Sequence, residues 1–329
     1  MNQKPRVIAL VAIGILLLCG CLRTASTEEA ASSLKNWSPG NHVLSIAVGG
    51  LERRYVVHVP SGYGHKKLWP VVIIFHGGGG TAKAAMWETG FAEKADQEGF
   101  LAVFPEGTAP DPSRPGHFIA NPQTWNDGSE REIGAVERNA ADVEFVSAMI
   151  DDLKERFSAD ERRIYATGFS NGASMSFRIA RELSSLIAAV APVAGADWFH
   201  GTRPDRAVPL LYITGTADPL NPLEGGEIHI GAKSYGEKPP IQEMIARWVK
   251  LHGCRAEPRV VYNKGGARGV AYDCARGIDT VMLYTIDGHG HHWPGGESAL
   301  PARMAGKNTA QLKATVLIWD FFKAWSLPN

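Results

Sequence analysis

An excess of charge of one sign is missing from this sequence. Its 34 Lys and Arg balance 34 Asp and Glu, for a formal net charge of zero over 329 residues. A neutral chain has no electrostatic footprint for nucleic acid and does not attract polyanionic substrates. Long apolar runs are missing too: the longest, residues 7–18, is short for a membrane-spanning helix. No internal repeat is visible, so a solenoid is excluded. Cysteine is scarce, at 4, whereas glycine is abundant, at 36, and clustered. With 44% hydrophobic and 21% charged residues, the composition is globular. A chain of this length buries roughly 75% of the surface it would expose unfolded.

The N-terminus reads as an address. Lys4 and Arg6 precede the apolar run, and Leu18-Cys19-Gly20-Cys21 follows it. An aliphatic residue three before a cysteine, then a small residue, is the pattern of a bacterial lipoprotein signal. Residues 1–20 are therefore expected to leave, with Cys21 lipidated; a plain secretory signal cut nearby is the alternative. Removing Lys4 and Arg6 leaves 32 basic against 34 acidic residues, a charge of −2. The chain is expected to be exported and to touch a membrane only through its lipid, facing the periplasm or exterior. Cys254 and Cys274 then remain as an even pair in an oxidising compartment, read as a disulfide. Residues 21–42, rich in Ser, Ala, Thr and Glu, read as a tether.

Residues 43–329 alternate strand and helix patterns without a linker, which predicts one α/β domain. Strands are expected at 54–59, 71–75, 100–104, 163–167, 188–193, 210–214 and 281–286, and helices at 85–98, 142–157, 173–186, 241–251 and 312–325. The continuous apolar strands predict a mostly parallel sheet with helices on both faces. Two stretches, 106–136 and 218–240, lack periodicity and follow strands. Long loops at carboxyl strand ends often line a site.

Gly168-Phe169-Ser170-Asn171-Gly172 lies between a strand and a helix and fits G-x-S-x-G. Such a sharp turn needs tiny residues on either side of the serine and presents its hydroxyl alone. An ordinary turn with Ser170 as N-cap is the bland alternative. His76-Gly77-Gly78-Gly79-Gly80 follows another strand. It lacks phosphate-loop spacing, because Lys83 stands between Ala82 and Ala84, and it lacks the acidic partner of a dinucleotide fingerprint. No cofactor is implied. An HGGG-type oxyanion segment remains, with donors expected from the Gly78 and Asn171 amides.

Chain order after the serine calls for an acid and then a histidine. Asp218, on a loop after the 210–214 strand, is a better acid than Asp197, Asp142 or Asp287. The base lies among His289, His291 and His292, and spacing does not choose between them. Further Cys or Asp partners at zinc spacing are missing around them, so no metal is expected.

These segments resemble the secreted α/β-hydrolase esterases grouped with polyhydroxybutyrate depolymerases, feruloyl esterases and acetylxylan esterases. The match runs from His76 to the last helix, where Ile318-Trp319-Asp320-Phe321-Phe322-Lys323 fits. The terminal Gly-His-x-Trp-Pro-Gly of that family matches Gly290-His291-His292-Trp293-Pro294-Gly295, which makes His291 the base. The resemblance also implies Ser170 as nucleophile, Asp218 as acid and a disulfide in the Cys254 to Cys274 segment. His289 and His292 depart from the family pattern, which has glycine and a small polar residue there. The implied function is ester hydrolysis through an acyl-enzyme, with falling activity on acidification. Lacking a polymer-binding domain, the chain is expected to prefer small or soluble esters, either hydroxyalkanoate oligomers or plant cell-wall carbohydrate esters. Trp125 and Trp293 are candidate walls of the substrate pocket. A glycan-binding lipoprotein without turnover and a serine peptidase are the rivals.

Overall fold

Apolar residues alternate between the two faces of every central strand, and that pattern builds the fold. The computed structural model describes residues 1, 37–129, 131, 134–198, 203–230, 233–274 and 280–328. The expected signal, Cys21 and the tether up to residue 36 lie outside them. In chain order the elements are β1 (Gly40–Val48), β2 (Leu51–Val59), β3 (Trp69–Phe75), α1 (Ala82–Thr89), α2 (Phe91–Glu98), β4 (Leu101–Pro105), α3 (Gly134–Glu137), α4 (Asp142–Arg156), β5 (Ala159–Phe169) and α5 (Asn171–Glu182). There follow β6 (Ala189–Val193), β7 (Leu210–Gly215), β8 (Gly226–Ile230), β9 (Lys233–Lys238), α6 (Ile241–Leu251), β10 (Pro258–Lys264), β11 (Ala267–Tyr272), β12 (Val281–Ile286), α7 (Ala302–Ala305) and α8 (Ala314–Phe322).

Ten strands form one sheet in the order β1-β2-β4-β3-β5-β6-β7-β12-β11-β10. The stretch from β4 to β12 is parallel, and antiparallel strands flank it on both sides. On β3, Val71, Ile73 and Phe75 enter a core shared with α4, α5 and α6, while Val72 and Ile74 enter a second core shared with α1, α2 and α8. Two buried faces explain why the central strands read as unbroken apolar runs. This is the α/β-hydrolase fold. The chain leaves β3 for β4 on one side and later returns to β5 on the other. The strand order thus reverses at β3, where open α/β sheets bind ligands.

Several elements differ from expectation. The single helix expected over 85–98 is two, because Gly90 (φ 64°) caps α1 in the left-handed region and donates its amide to Met86 O. The tether's expected end at residue 42 falls inside β1, whose Gly40 pairs with Val59. The 218–240 stretch contains the β8–β9 hairpin. Strand β10 escaped the sequence pattern because it is an exposed edge without a clean apolar alternation; β11, which it pairs with, is not expected from sequence either. Cys254 and Cys274 are disulfide-bonded across a separation of 20 residues. In the chain-entropy model such a closure contributes about 3 kcal/mol.

Candidate active site

Four loops at the carboxyl ends of β3, β5, β7 and β12 carry the serine, acid, histidine and amide donors expected from sequence. Ser170 sits at the β5–α5 turn with φ 55° and ψ −119°, a conformation costing an L-residue about 1–3 kcal/mol. The turn is held by Ser170 N donating to Val193 O at 3.0 Å and Ser174 N donating to Ser170 O at 3.1 Å. Its glycines are required by crowding. A Cβ on Gly168 would lie 2.5 Å from Gly172 O, and one on Gly172 would strike Phe75 O.

Ser170 Oγ lies 2.9 Å from His291 Nε2, and His291 Nδ1 lies 2.8 Å from Asp218 Oδ2. A carboxylate accepts only, so the proton between them belongs to Nδ1, and Nε2 is left to accept from the serine. Asp218 is buried. Its other oxygen accepts the Leu220 and Asn221 amides, both at 2.8 Å. Burial alone would raise its carboxyl. The charge and hydrogen bond of His291, with Lys238 and the Leu220 amide, outweigh that and hold it below the usual carboxylate range. Asp197 and Asp287 are engaged elsewhere: Asp197 with Arg181 and the Trp248 indole, Asp287 with Thr216.

The glycine-rich loop meets the turn. A Cβ on Gly77 would lie 3.6 Å from Ser170 Cβ, and one on Gly78 would lie 3.7 Å from Asn171 Cβ. Gly79 N donates to Gln123 O and Gly80 N to Gly77 O. Among the described residues, the Gly78 and Asn171 amides have no acceptor within the chain. Asn171 also opens α5, whose N-terminus favours negative charge. Its side chain is locked, accepting from Trp125 N at 2.7 Å and donating to Asp127 Oδ2 at 2.8 Å. Asp127 Oδ2 also accepts from Arg131 at 2.6 Å, and that guanidinium lies 4.1 Å over the Trp198 ring.

Trp125 and Trp293 are not pocket walls. Both are fully buried. The Trp125 indole donates to His76 O at 2.9 Å and packs edge-on against Phe75, supporting the glycine-rich segment from behind. The Trp293 indole donates to Thr315 Oγ1 at 2.9 Å and packs on Phe91. An exposed aromatic beside the glycine loop is Phe118. It is 52% exposed, next to Ile119 at 82%, and its ring lies where a Gly79 Cβ would be, with Cδ2 2.8 Å away. It escaped sequence reasoning because a loop aromatic has no periodicity to mark it.

His289 and His292 point inward and brace the loop. Thr309 N donates to His289 Nδ1 at 3.1 Å, so Nε2–H donates to His292 O at 3.1 Å. His292 contacts Ser298 Oγ and Gly306 O. His76 is a third buried brace. Gly107 N donates to its Nε2 at 3.0 Å, leaving Nδ1–H for Gly77 O. Burial pushes its imidazole down from 6.5 to about 4; the Gly77 bond opposes this and Arg53 adds to it. The unfolded chain therefore takes up this proton first as pH falls from 6.5 towards 4, and stability is lost across that window. Acidification from about pH 7 to pH 5 should cost about 2 kcal/mol through His76. Urea midpoints should fall less steeply for His76→Gln; equal slopes would remove His76 as the group responsible.

Comparison with known proteins identifies the family. The dienelactone hydrolase family profile matches residues 60–234, more than half of the chain. The chain belongs to the dienelactone hydrolase family. The family match contains Ser170 and Asp218, while His291 lies beyond it. A Nocardia uniformis subsp. tsuyamanensis protein assigned as an esterase, NocK, is 29% identical over 292 residues, covering 84% of this chain and 80% of that one. Feruloyl esterase B of Piromyces equi is 31% identical over 288 residues, covering 84% of this chain but 46% of that protein's length. Among solved structures, the acetyl xylan esterase from Aspergillus awamori superposes with a TM-score of 0.56 at 13% identity, covering 76% of this chain and 94% of that one. That likeness is one of fold. The grouping inferred from sequence motifs and the family match coincide.

Proposed function

We propose that this dienelactone hydrolase family member is a serine carboxylic-ester hydrolase working through an acyl-enzyme. The observation that carries the reading is the unbroken hydrogen-bond relay Ser170–His291–Asp218 beside two amides with no acceptor among the described residues. Ser170 Oγ attacks the ester carbonyl carbon as His291 Nε2 takes its proton. The carbonyl oxygen becomes an oxyanion held by the Gly78 and Asn171 amides, each worth roughly 3 kcal/mol in the transition state. Collapse expels the alcohol, which receives the proton from His291. Water then attacks the acyl-serine with His291 again as base, releasing the acid and restoring Ser170. Asp218 holds the productive tautomer and stabilises the imidazolium.

A fluorophosphonate probe should label Ser170, and p-nitrophenyl acetate should be hydrolysed. A folded protein that does neither would end this reading. A panel of methyl ferulate, acetylated xylan and hydroxybutyrate oligomers, with an amide control, ranks the natural esters and separates esterase from peptidase.

Phe118 assigns a side to the substrate in this reading. The leaving oxygen must face His291 to take its proton, so the acyl group turns away from the imidazole, towards the glycine loop that Phe118 covers. An aromatic contact contributes about 0.5–1.5 kcal/mol. Phe118→Ala is expected to raise KM for methyl ferulate roughly 3- to 10-fold while leaving that for p-nitrophenyl acetate unchanged. An equal effect on both esters would remove Phe118 from acyl recognition.

A further inference from the structure

The turn that carries Asp218 is gripped from its far side by a lysine with no part in the proposed chemistry. Lys238, the last residue of β9, is 7% exposed. Its Nζ donates to Leu220 O at 2.7 Å and to Asn221 Oδ1 at 3.1 Å. These are the two residues whose amides hold Asp218 Oδ1. Ammonium and carboxylate thus clasp one short turn from opposite sides. Asn221 adds a third tie, donating from Nδ2 to Tyr212 OH at 2.8 Å and to Thr214 Oγ1 at 3.1 Å on β7.

The same strand reaches the other half of the site. At Gly236, two residues earlier, the Arg131 Cγ lies 3.0 Å from where a Cβ would be. Arg131 pairs with Asp127, which holds the Asn171 side chain. One strand of a small hairpin therefore touches the supports of both the proposed acid and the proposed oxyanion donor.

Burying an ammonium is expensive unless it is hydrogen-bonded and faced by opposite charge. The charged groups facing Lys238 are Asp218 from the loop after β7, and Asp127 and Arg131 from the loop before α3. Burial and Arg131 push it down to about 7, against the pull of the two carboxylates. A leucine or methionine would avoid this cost but would strand the Leu220 carbonyl and the Asn221 amide oxygen without their donor.

We propose that Lys238 is a positioning residue: by holding the 218–221 turn it sets the angle at which the Asp218 carboxylate meets His291. The inference rests on the triad reading above, and its effect passes through Asp218 rather than through substrate. A misplacement near 1 Å can cost about 100-fold in rate.

The test uses Lys238→Met and Lys238→Gln, with Glu237→Ala, an exposed neighbour on β9, as the control expected to stay within about twofold. Rates on p-nitrophenyl acetate are normalised to sites titrated with the fluorophosphonate, so that misfolded protein is not counted. The downfield proton resonance of His291 Nδ1 is followed in parallel. For Lys238→Met, kcat should fall about 10- to 100-fold with KM little changed, and the His291 resonance should shift or broaden away. Lys238→Gln, which keeps a donor without the charge, should lose less but still at least about threefold. If only the Gln variant folds, that threshold decides. A smaller loss with an unmoved resonance overturns the proposal, as does failure of both variants to fold, which would make Lys238 a stability element. A wild-type enzyme that is inactive and unlabelled would instead sink the triad reading itself.

Discussion

Ser170→Ala is expected to lower kcat on p-nitrophenyl acetate by about 10⁵- to 10⁶-fold and to abolish fluorophosphonate labelling. The size follows from the loss of covalent catalysis. Without Oγ there is no acyl-enzyme, and His291 is left without the hydroxyl it sits 2.9 Å from. A remnant of about 10³- to 10⁴-fold over water should survive through the oxyanion donors and binding. The fold should tolerate the change, because alanine meets the same strain at φ 55°. Ser170→Gly should be equally inactive and more stable, since glycine relieves that strain. A variant retaining a tenth of wild-type turnover would place the nucleophile elsewhere.

The second large effect is expected from Asp218→Asn, a loss of about 10⁴-fold in kcat with little change in KM. Asp218 Oδ1 must keep accepting the Leu220 and Asn221 amides, so the new amide group points its NH₂ at His291. Nδ1 must then accept, the imidazole proton moves to Nε2, and Ser170 loses its base. The variant differs by one atom and should fold, so its thermal midpoint should stay close to that of wild type. Retention of full kcat would mean that another carboxylate orients His291, and the 2.8 Å contact would have no catalytic meaning.

The contrast between the histidines shows how far sequence reasoning carried. His289, His291 and His292 are equivalent as letters, and only the family resemblance chose among them. In the structure they differ sharply: His291 bridges Ser170 and Asp218, while the other two spend both ring nitrogens on their own loop and its neighbours. The tryptophans went the other way. Trp125 lies in a loop of the kind that lines sites, yet its indole is buried behind the glycine-rich segment. Burial of a loop aromatic depends on what packs over it, and local sequence does not record that. Lys238 was equally silent, because a lysine in a polar stretch reads as solvated surface.

Local chemistry is what the sequence determined by itself: parallel strands from unbroken apolar runs, the sharp turn from Gly168 and Gly172, and the close loop from consecutive glycines. Each of these depends on neighbours a few residues away, where backbone sterics and periodicity act directly. Tertiary structure decided which distant groups meet. The hydrogen-bonded chain joins residues separated by 121 and 73 positions, and the clasp on the turn after Asp218 comes from Lys238, 17 to 18 residues beyond Asn221 and Leu220. Such contacts are set by the packing of helices against the two faces of the sheet and by the alignment of strand ends along one edge. The pattern of single residues does not encode them locally.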